Sequence, residues 1–100
     1  MKAFSQLATF GLISASLLAQ APVPKNGYVP DEKTATKIAE AVLAPIYGDA
    51  KIKAEEPFHA VLNRDVWIVS GSVPQGWEGG AAVIHIDKQT GKILGHIHYK

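Results

Sequence analysis

The chain has 100 residues, no cysteine, and ten lysines and arginines against nine aspartates and glutamates. This length allows one domain. The absence of cysteine excludes disulfides and thiolate metal ligands and predicts that there is no lipoprotein anchor. The basic residues form no cluster, which argues against nucleic-acid binding, because that binding depends on clustered positive charge displacing counterions from phosphates. A small domain without disulfides depends on its hydrophobic core, so we expect marginal stability.

The N-terminal segment is typical of a secretory signal peptide. Lys2 supplies a positive start, and residues 3–19 are uncharged and rich in apolar side chains. We expect residues 1–19 to be the signal, with cleavage after Ala19 or after Ala21. The alternative is an uncleaved anchor, but the apolar stretch is shorter than the roughly 20 residues that span a bilayer. The predicted location is periplasmic or secreted, with no membrane contact after cleavage.

Residues 20–27 contain two prolines and an Asn-Gly pair and are predicted to be a linker, so that the domain covers residues 28–100. Asp31 is a suitable N-cap for a helix whose regular part should end or kink at Ala44, because Pro45 follows. Gly48 is the predicted stop for the last, irregular turn. The apolar face of this helix is predicted to carry Ala35, Ile38, Ala39, Val42 and Ile46. Residues 49–57 are interpreted as a connector with a short strand around Lys51 and Ile52, and with Glu55 and Glu56 solvated.

Two strands are predicted over residues 58–62 and 66–73, where apolar side chains alternate with others. If residues 64–65 form a two-residue loop, Leu62 faces Trp67 and Ala60 faces Val69. This register brings the large apolar groups together, so Trp67 is predicted to anchor the core.

A last hairpin is predicted over residues 81–87 and 92–99, with a turn that ends at Gly91. Pairing of Asp87 with Lys92 and of Ile86 with Ile93 gives an apolar face and a mostly polar face. The apolar face is expected to carry Ala82, Ile84, Ile86, Ile93, Ile97 and Tyr99. The other is expected to carry Val83, His85, Asp87, Lys92, Leu94, His96 and His98. The predicted fold is α+β, with one N-terminal helix packed on a small antiparallel sheet of three or four strands.

Three histidines, His85, His96 and His98, are predicted to share the polar face of this sheet. Three imidazoles could hold Zn²⁺, but no recognised ligand spacing supports a metal. No nucleophile motif or enclosed acid–base group is apparent either. We therefore predict no metal, no cofactor, no catalytic residue and no enzyme activity, and we regard the three histidines as candidates for contact with a partner.

The glycine-rich segment 74–80 is the other candidate for partner binding. Trp77 and Glu78 lie at its centre. Tryptophan is enriched at interface hot spots, so Trp77 is a candidate contact residue. It could instead cap the core, with the glycines only permitting the backbone angles of the loop.

The order of these segments resembles the NTF2-fold immunity protein family, including small exported proteins found beside Rhs-type polymorphic toxins. The resemblance rests on the I-Y-G that ends the helix segment, on W-x-V-x-G-x-x-P in residues 67–74, on the Gly79-Gly80 pair and on I-x-K-x-x-G in residues 86–91. It implies a protein that neutralises a cognate toxin by binding it, without catalysis or cofactor. The mature chain is shorter than a full NTF2 cone, so a truncated NTF2-like or cystatin-like architecture is expected.

Two other functions remain open from the sequence. A PepSY-like or cystatin-like inhibitory or binding module of the cell envelope uses a similar helix on an antiparallel sheet. A small NTF2-like enzyme or ligand binder would require an enclosed pocket. In each case an exposed last strand could also pair with a second copy of the chain to form a homodimer.

Overall fold

The computed structural model describes residues 21–100, so the predicted signal peptide lies outside the described residues. The elements in chain order are α1 (Glu32–Tyr47), α2 (Asp49–Ala54), β1 (His59–Asn63), β2 (Val66–Ser70), β3 (Ala82–Asp87) and β4 (Ile93–His98). The strands form one antiparallel sheet in the order β1-β2-β3-β4, and α1 packs against β1, β2 and β3. The fold is therefore α+β, as predicted. Neither helix in this part of the chain is long and apolar enough to cross a membrane.

Helix α1 begins at the predicted cap, Asp31, and its last turn extends to Gly48. The Asp31 carboxylate accepts a hydrogen bond of 2.8 Å from the amide of Thr34, which satisfies one of the free donors of the first turn. The buried residues of the helix are Ala35, Ala39 and Leu43. The helix does not end at Ala44 but continues through Pro45 to Tyr47, and Gly48, the predicted stop, is its C-cap. Proline removes only one amide donor at this position, and the last turn closes when Gly48 donates to the Ala44 carbonyl at 2.7 Å.

The segment after α1 is helical, so the predicted connector with a short strand is wrong. Helix α2 buries Ile52, which is 2% exposed, against the core. Glu55 follows the helix and is 0% exposed, which contradicts the prediction that it is solvated, whereas Glu56 is exposed as expected.

The hairpin of β1 and β2 confirms the predicted register. Leu62 pairs with Trp67 and Ala60 with Val69. Arg64 and Asp65 have φ values of 49° and 62°, as expected for a two-residue turn that needs positive φ at both positions.

The hairpin of β3 and β4 matches the prediction only next to its turn. Ile86 pairs with Ile93 as predicted, but an irregularity between His85 and Ile86 shifts the later pairs. Ile84 then pairs with His96, and Ala82 pairs with His98. One extra residue moves every later side chain of a strand to the other face. The predicted faces of β4 beyond the bulge are therefore wrong, and His96 and His98 lie on the side of the helices.

The core lies between the helices and one face of the sheet. Its buried members include Val29, Leu43, Trp67, Ile84 and Ile86. The Trp67 indole nitrogen donates a buried hydrogen bond of 2.8 Å to the Val29 carbonyl. The amide of Val29 in turn donates to the Lys88 carbonyl at 3.0 Å. The segment before α1 is thus attached both to the core and to the turn between β3 and β4.

Candidate protein-binding surface

The face of the sheet that the helices leave uncovered carries an exposed apolar centre. The register places Val61 beside Ile68 and Val83 beside Ile97 on this side. Val61 is 65% exposed and Ile97 is 49% exposed. We call the surface formed by Val61, Ile68, Val83, His85 and Ile97 the open face. An apolar cluster of this kind on a small domain is characteristic of a site for protein contact.

Two recesses interrupt the open face, and His85 lines both of them. The first has a volume of about 260 Å³ and is lined by Val83, His85, Gly95, His96, Ile97 and Tyr99. The second has a volume of about 290 Å³ and is lined by Asn63, Arg64, Val66, Ile68 and His85.

The first recess exists because Gly95 lies opposite His85 and has no side chain to cover the sheet there. A methyl group added at Gly95 would meet no other atom within 4 Å. Both recesses open to solvent. They therefore suit side chains that protrude from a protein partner better than an enclosed small molecule.

The loop between β2 and β3 leaves Trp77 exposed to solvent. Trp77 is 51% exposed and does not belong to the core, so the interpretation that it caps the core is wrong. A Cβ at Gly80 would come within 3.5 Å of Tyr99 Cα, and one at Gly79 within 2.7 Å of the Lys100 carbonyl carbon. Glycine at these positions lets the loop lie against the residues after β4. Tyr99 therefore contacts this loop and also lines the first recess.

The three candidate histidines do not share a face. His85 is exposed on the open face, whereas the ring of His96 lies on the side of the helices, with its Nδ1 atom 3.0 Å from the Tyr47 hydroxyl. The Nε2 atom of His98 lies 2.6 Å from a Glu55 carboxylate oxygen. The prediction that the three imidazoles form one group is wrong because the bulge reverses the faces of β4. Within residues 21–100 no three histidine, aspartate or glutamate side chains are placed to hold a metal ion.

Glu55 is the centre of a buried polar cluster that the sequence did not indicate. One carboxylate oxygen accepts a hydrogen bond of 2.8 Å from the amide of Ala82, and the other contacts His98. The Glu55 carbonyl also accepts from the amide of Ser72 at 2.7 Å. A side chain at Gly71 would come within 2.9 Å of the carboxylate, so glycine makes room for it. The cluster fastens the end of α2 to the sheet.

The contacts of His98 require a proton between it and Glu55. Its Nδ1 atom lies 2.9 Å from the carbonyl oxygen of Tyr99, and its Nε2 atom faces the carboxylate. A carbonyl can only accept, so Nδ1 must donate to it. The pair is therefore either an imidazolium with a carboxylate or a neutral imidazole with a carboxylic acid. Because the His98 side chain is only 13% exposed, its contacts are mainly internal.

Two glutamates, Glu40 and Glu56, form a pair on the helical side of the molecule. The pKa of Glu40 is raised to about 7, first by partial burial and then by the hydrogen bond to Glu56 and the negative charge of Glu56. All three effects disfavour the ionised form of the Glu40 carboxyl group. This pair is remote from the open face and has no counterpart among the predicted site residues.

Comparison with known proteins gives the family. The model of the NTF2 fold immunity protein family matches residues 34–100. The "Uncharacterized protein YbbC" of Escherichia coli (strain K12) is 32% identical over 73 residues, which are 72% of this chain and 60% of that relative. The chain thus spans less than two thirds of the length of this relative. No solved structure matches the chain. Because the family model covers all the strands and most of α1, the chain belongs to the NTF2 fold immunity protein family.

Proposed function

We propose that this chain is an exported, non-enzymatic immunity protein that binds and neutralises a cognate toxin of a bacterial polymorphic toxin system. It would act in the periplasm or outside the cell after removal of the signal peptide. The observation that carries the proposal is the exposed apolar open face with its recess at Gly95, and the exposed Trp77 of the loop between β2 and β3 adds to it. Membership in an immunity protein family supplies the class of partner.

The chemistry of this surface suits a protein partner. Val61, Val83 and Ile97 offer apolar area without any charged side chain between them. Trp77 can insert a large ring into a pocket of the partner, and a few such residues carry most of the energy of a typical interface. His85 can donate or accept a hydrogen bond between the two recesses. Apolar anchors with a small number of polar groups are what a specific interface requires.

Two substitutions test the surface. Trp77→Ala removes the displayed ring, and Gly95→Val places a branched side chain at the recess, where an added Cβ meets no other atom within 4 Å. We expect each variant to bind the toxin encoded by the neighbouring gene at least about tenfold more weakly, which corresponds to about 1.4 kcal/mol. Melting temperatures should stay close to that of the parent. The measurements are co-purification with the toxin, the dissociation constant, and protection of cell growth during toxin expression.

Ile46→Ala is the matched control, because Ile46 is 47% exposed on α1 and lies away from the open face. It should bind and protect like the parent. If Trp77→Ala and Gly95→Val also bind like the parent, the interface lies elsewhere. If the parent chain neither binds the toxin nor protects growth, the proposed function itself is wrong.

A further inference from the structure

The two edges of the sheet are protected differently. At the β1 edge, the amide of Ala60 points away from β2 and donates to the Glu32 carboxylate of α1 at 3.1 Å. Within residues 21–100 no strand lies beyond β4. The first turn of α1 therefore occupies an outward amide of the β1 edge, whereas no strand of the described chain occupies the β4 edge.

The register shows which groups of β4 point outward. Tyr99 donates its amide to the Ala81 carbonyl. Two further pairs, Val83 with Ile97 and His85 with Gly95, lie at two-residue steps along the same ladder. Hydrogen-bonded and non-bonded pairs alternate in an antiparallel ladder. The amides and carbonyls of His96 and His98 therefore face away from β3.

Strand β4 lacks proline and charged side chains, two of the features that usually prevent pairing at an edge. Residues 93–99, ILGHIHY, contain no proline and no lysine, arginine, aspartate or glutamate. Leu94, Ile97 and Tyr99 are each about half exposed, at 49%, 49% and 54%. The bulge lies near the start of the strand, which leaves residues 95–98 regular and able to accept a neighbour.

The recess at Gly95 lies directly beside this edge. Gly95, Ile97 and Tyr99 form its outer side. In a strand added next to β4, side chains on the side of the open face would project beside Ile97. One apolar side chain of such a strand could therefore enter the recess. The open edge and the recess are separate features that indicate the same occupant.

The charges at the two ends of β4 distinguish between two kinds of occupant. Lys92 precedes the uncharged run and Lys100 follows it. A second copy paired antiparallel over residues 92–100 would place Lys92 of one chain opposite Lys100 of the other, and like charges directly opposite each other are unfavourable. A partner segment with acidic residues at its ends would instead be complementary.

We propose that the partner adds an extended segment to the outer edge of β4, with an apolar side chain in the Gly95 recess and acidic residues near Lys92 and Lys100. This inference rests on the proposed function, since the partner is the toxin. The main-chain bonds supply affinity, and the recess with the two lysines supplies specificity.

Proline at position 96 tests the edge directly. His96→Pro removes an outward amide without removing a bond to β3, and proline is tolerated on edge strands. His96→Ala is the matched control, because it loses the same imidazole and its contact with Tyr47 but retains the amide. With the purified toxin of the neighbouring gene as probe, we expect His96→Pro to bind at least tenfold more weakly than His96→Ala. Equal binding of the two variants would overturn the inference.

Hydrogen exchange on the unsubstituted chain gives a test that does not depend on the folding of a variant. The amides of His96 and His98 should exchange at least tenfold more slowly in the complex than in the free chain. Unchanged exchange in a complex that still forms and protects cells would overturn the edge inference alone. Slow exchange in the free chain together with the mass of a dimer would assign the edge to a second copy. Failure of the parent to bind the toxin would overturn both proposals.

Discussion

At the scale of single residues, Trp67 joins the core to the segment before α1. It is 8% exposed, and its indole donates to the Val29 carbonyl at 2.8 Å. We expect Trp67→Phe to lower the free energy of unfolding by roughly 1–3 kcal/mol, because the buried carbonyl loses its donor. Trp67→Ala should cost roughly 3–5 kcal/mol through the cavity it leaves. Denaturant unfolding monitored by circular dichroism measures both values.

Trp77→Phe is the control for that series, since Trp77 is half exposed. It should change stability by less than about 0.5 kcal/mol. Equal effects of phenylalanine at positions 67 and 77 would show that the bond to Val29 does not stabilise the fold.

Burial of Trp67 could be predicted from the sequence and burial of Glu55 could not. Trp67 lies in an alternating strand opposite Leu62, and a two-residue turn fixes that pairing. Glu55 lies in a Glu-Glu-Pro segment that locally suggests solvent. Its partners Ala82 and His98 are 27 and 43 residues away along the chain. Only the assembled sheet brings these groups to the carboxylate.

Between elements, the contact of Glu40 in α1 with Glu56, which follows α2, should make the stability of the fold depend on pH. The pKa of Glu40 is raised from 4.5 to about 7, so the folded chain holds this proton more tightly than the unfolded chain. The contribution to stability is complete below about pH 4.5 and is lost as pH rises through 7. We expect Glu40→Gln to raise the melting temperature at pH 8 but not at pH 4. The gain in the free energy of unfolding at pH 8 should be about 1 kcal/mol, because solvent screens the charges of this partly exposed pair.

The exposed loop residue Glu78 supplies the control for this pH effect. Glu78→Gln should leave the difference between pH 4 and pH 8 as it is in the parent. An equal gain for Glu40→Gln at both pH values would mean that the charge of Glu40 is not the cause.

The two hairpins show how far a turn determines its strands. The two-residue loop at Arg64 and Asp65 determines the register of β1 and β2 along their whole length. In the second hairpin the turn that ends at Gly91 determines only the first pairs, because the bulge intervenes. The helices bury Ile84 and Ile86 on one face of β3. The shifted register also allows His98 to reach Glu55. The sequence of the hairpin alone does not predict this contact, because Glu55 lies outside the hairpin.

At the scale of the whole molecule, the segment before α1 is part of the fold. Val29 is 0% exposed, and the amides of Tyr28 and Val29 donate to Gln89 and Lys88 in the turn between β3 and β4. We expect a chain that begins at Asp31 to be less stable than one that begins at Lys25 by roughly 3–5 kcal/mol. The reason is the loss of one buried valine and of the acceptor for Trp67.

Thermal unfolding of the two truncated chains measures this difference, and it also tests the predicted domain start at residue 28. If both chains melt at the same temperature, the contacts of residues 28–29 do not contribute to stability and the domain starts later.

Local sequence signals were sufficient to predict the α+β class, the start of α1, the first hairpin and the burial of Trp67. These features follow from capping, alternation and turn chemistry, which act between residues close along the chain. The assembled fold is needed to explain the helical form of α2, the burial of Glu55 and the faces of His96 and His98. Each of these depends on groups from distant segments. The open face and the outer edge of β4 could be located only after the bulge had set which side chains the helices cover.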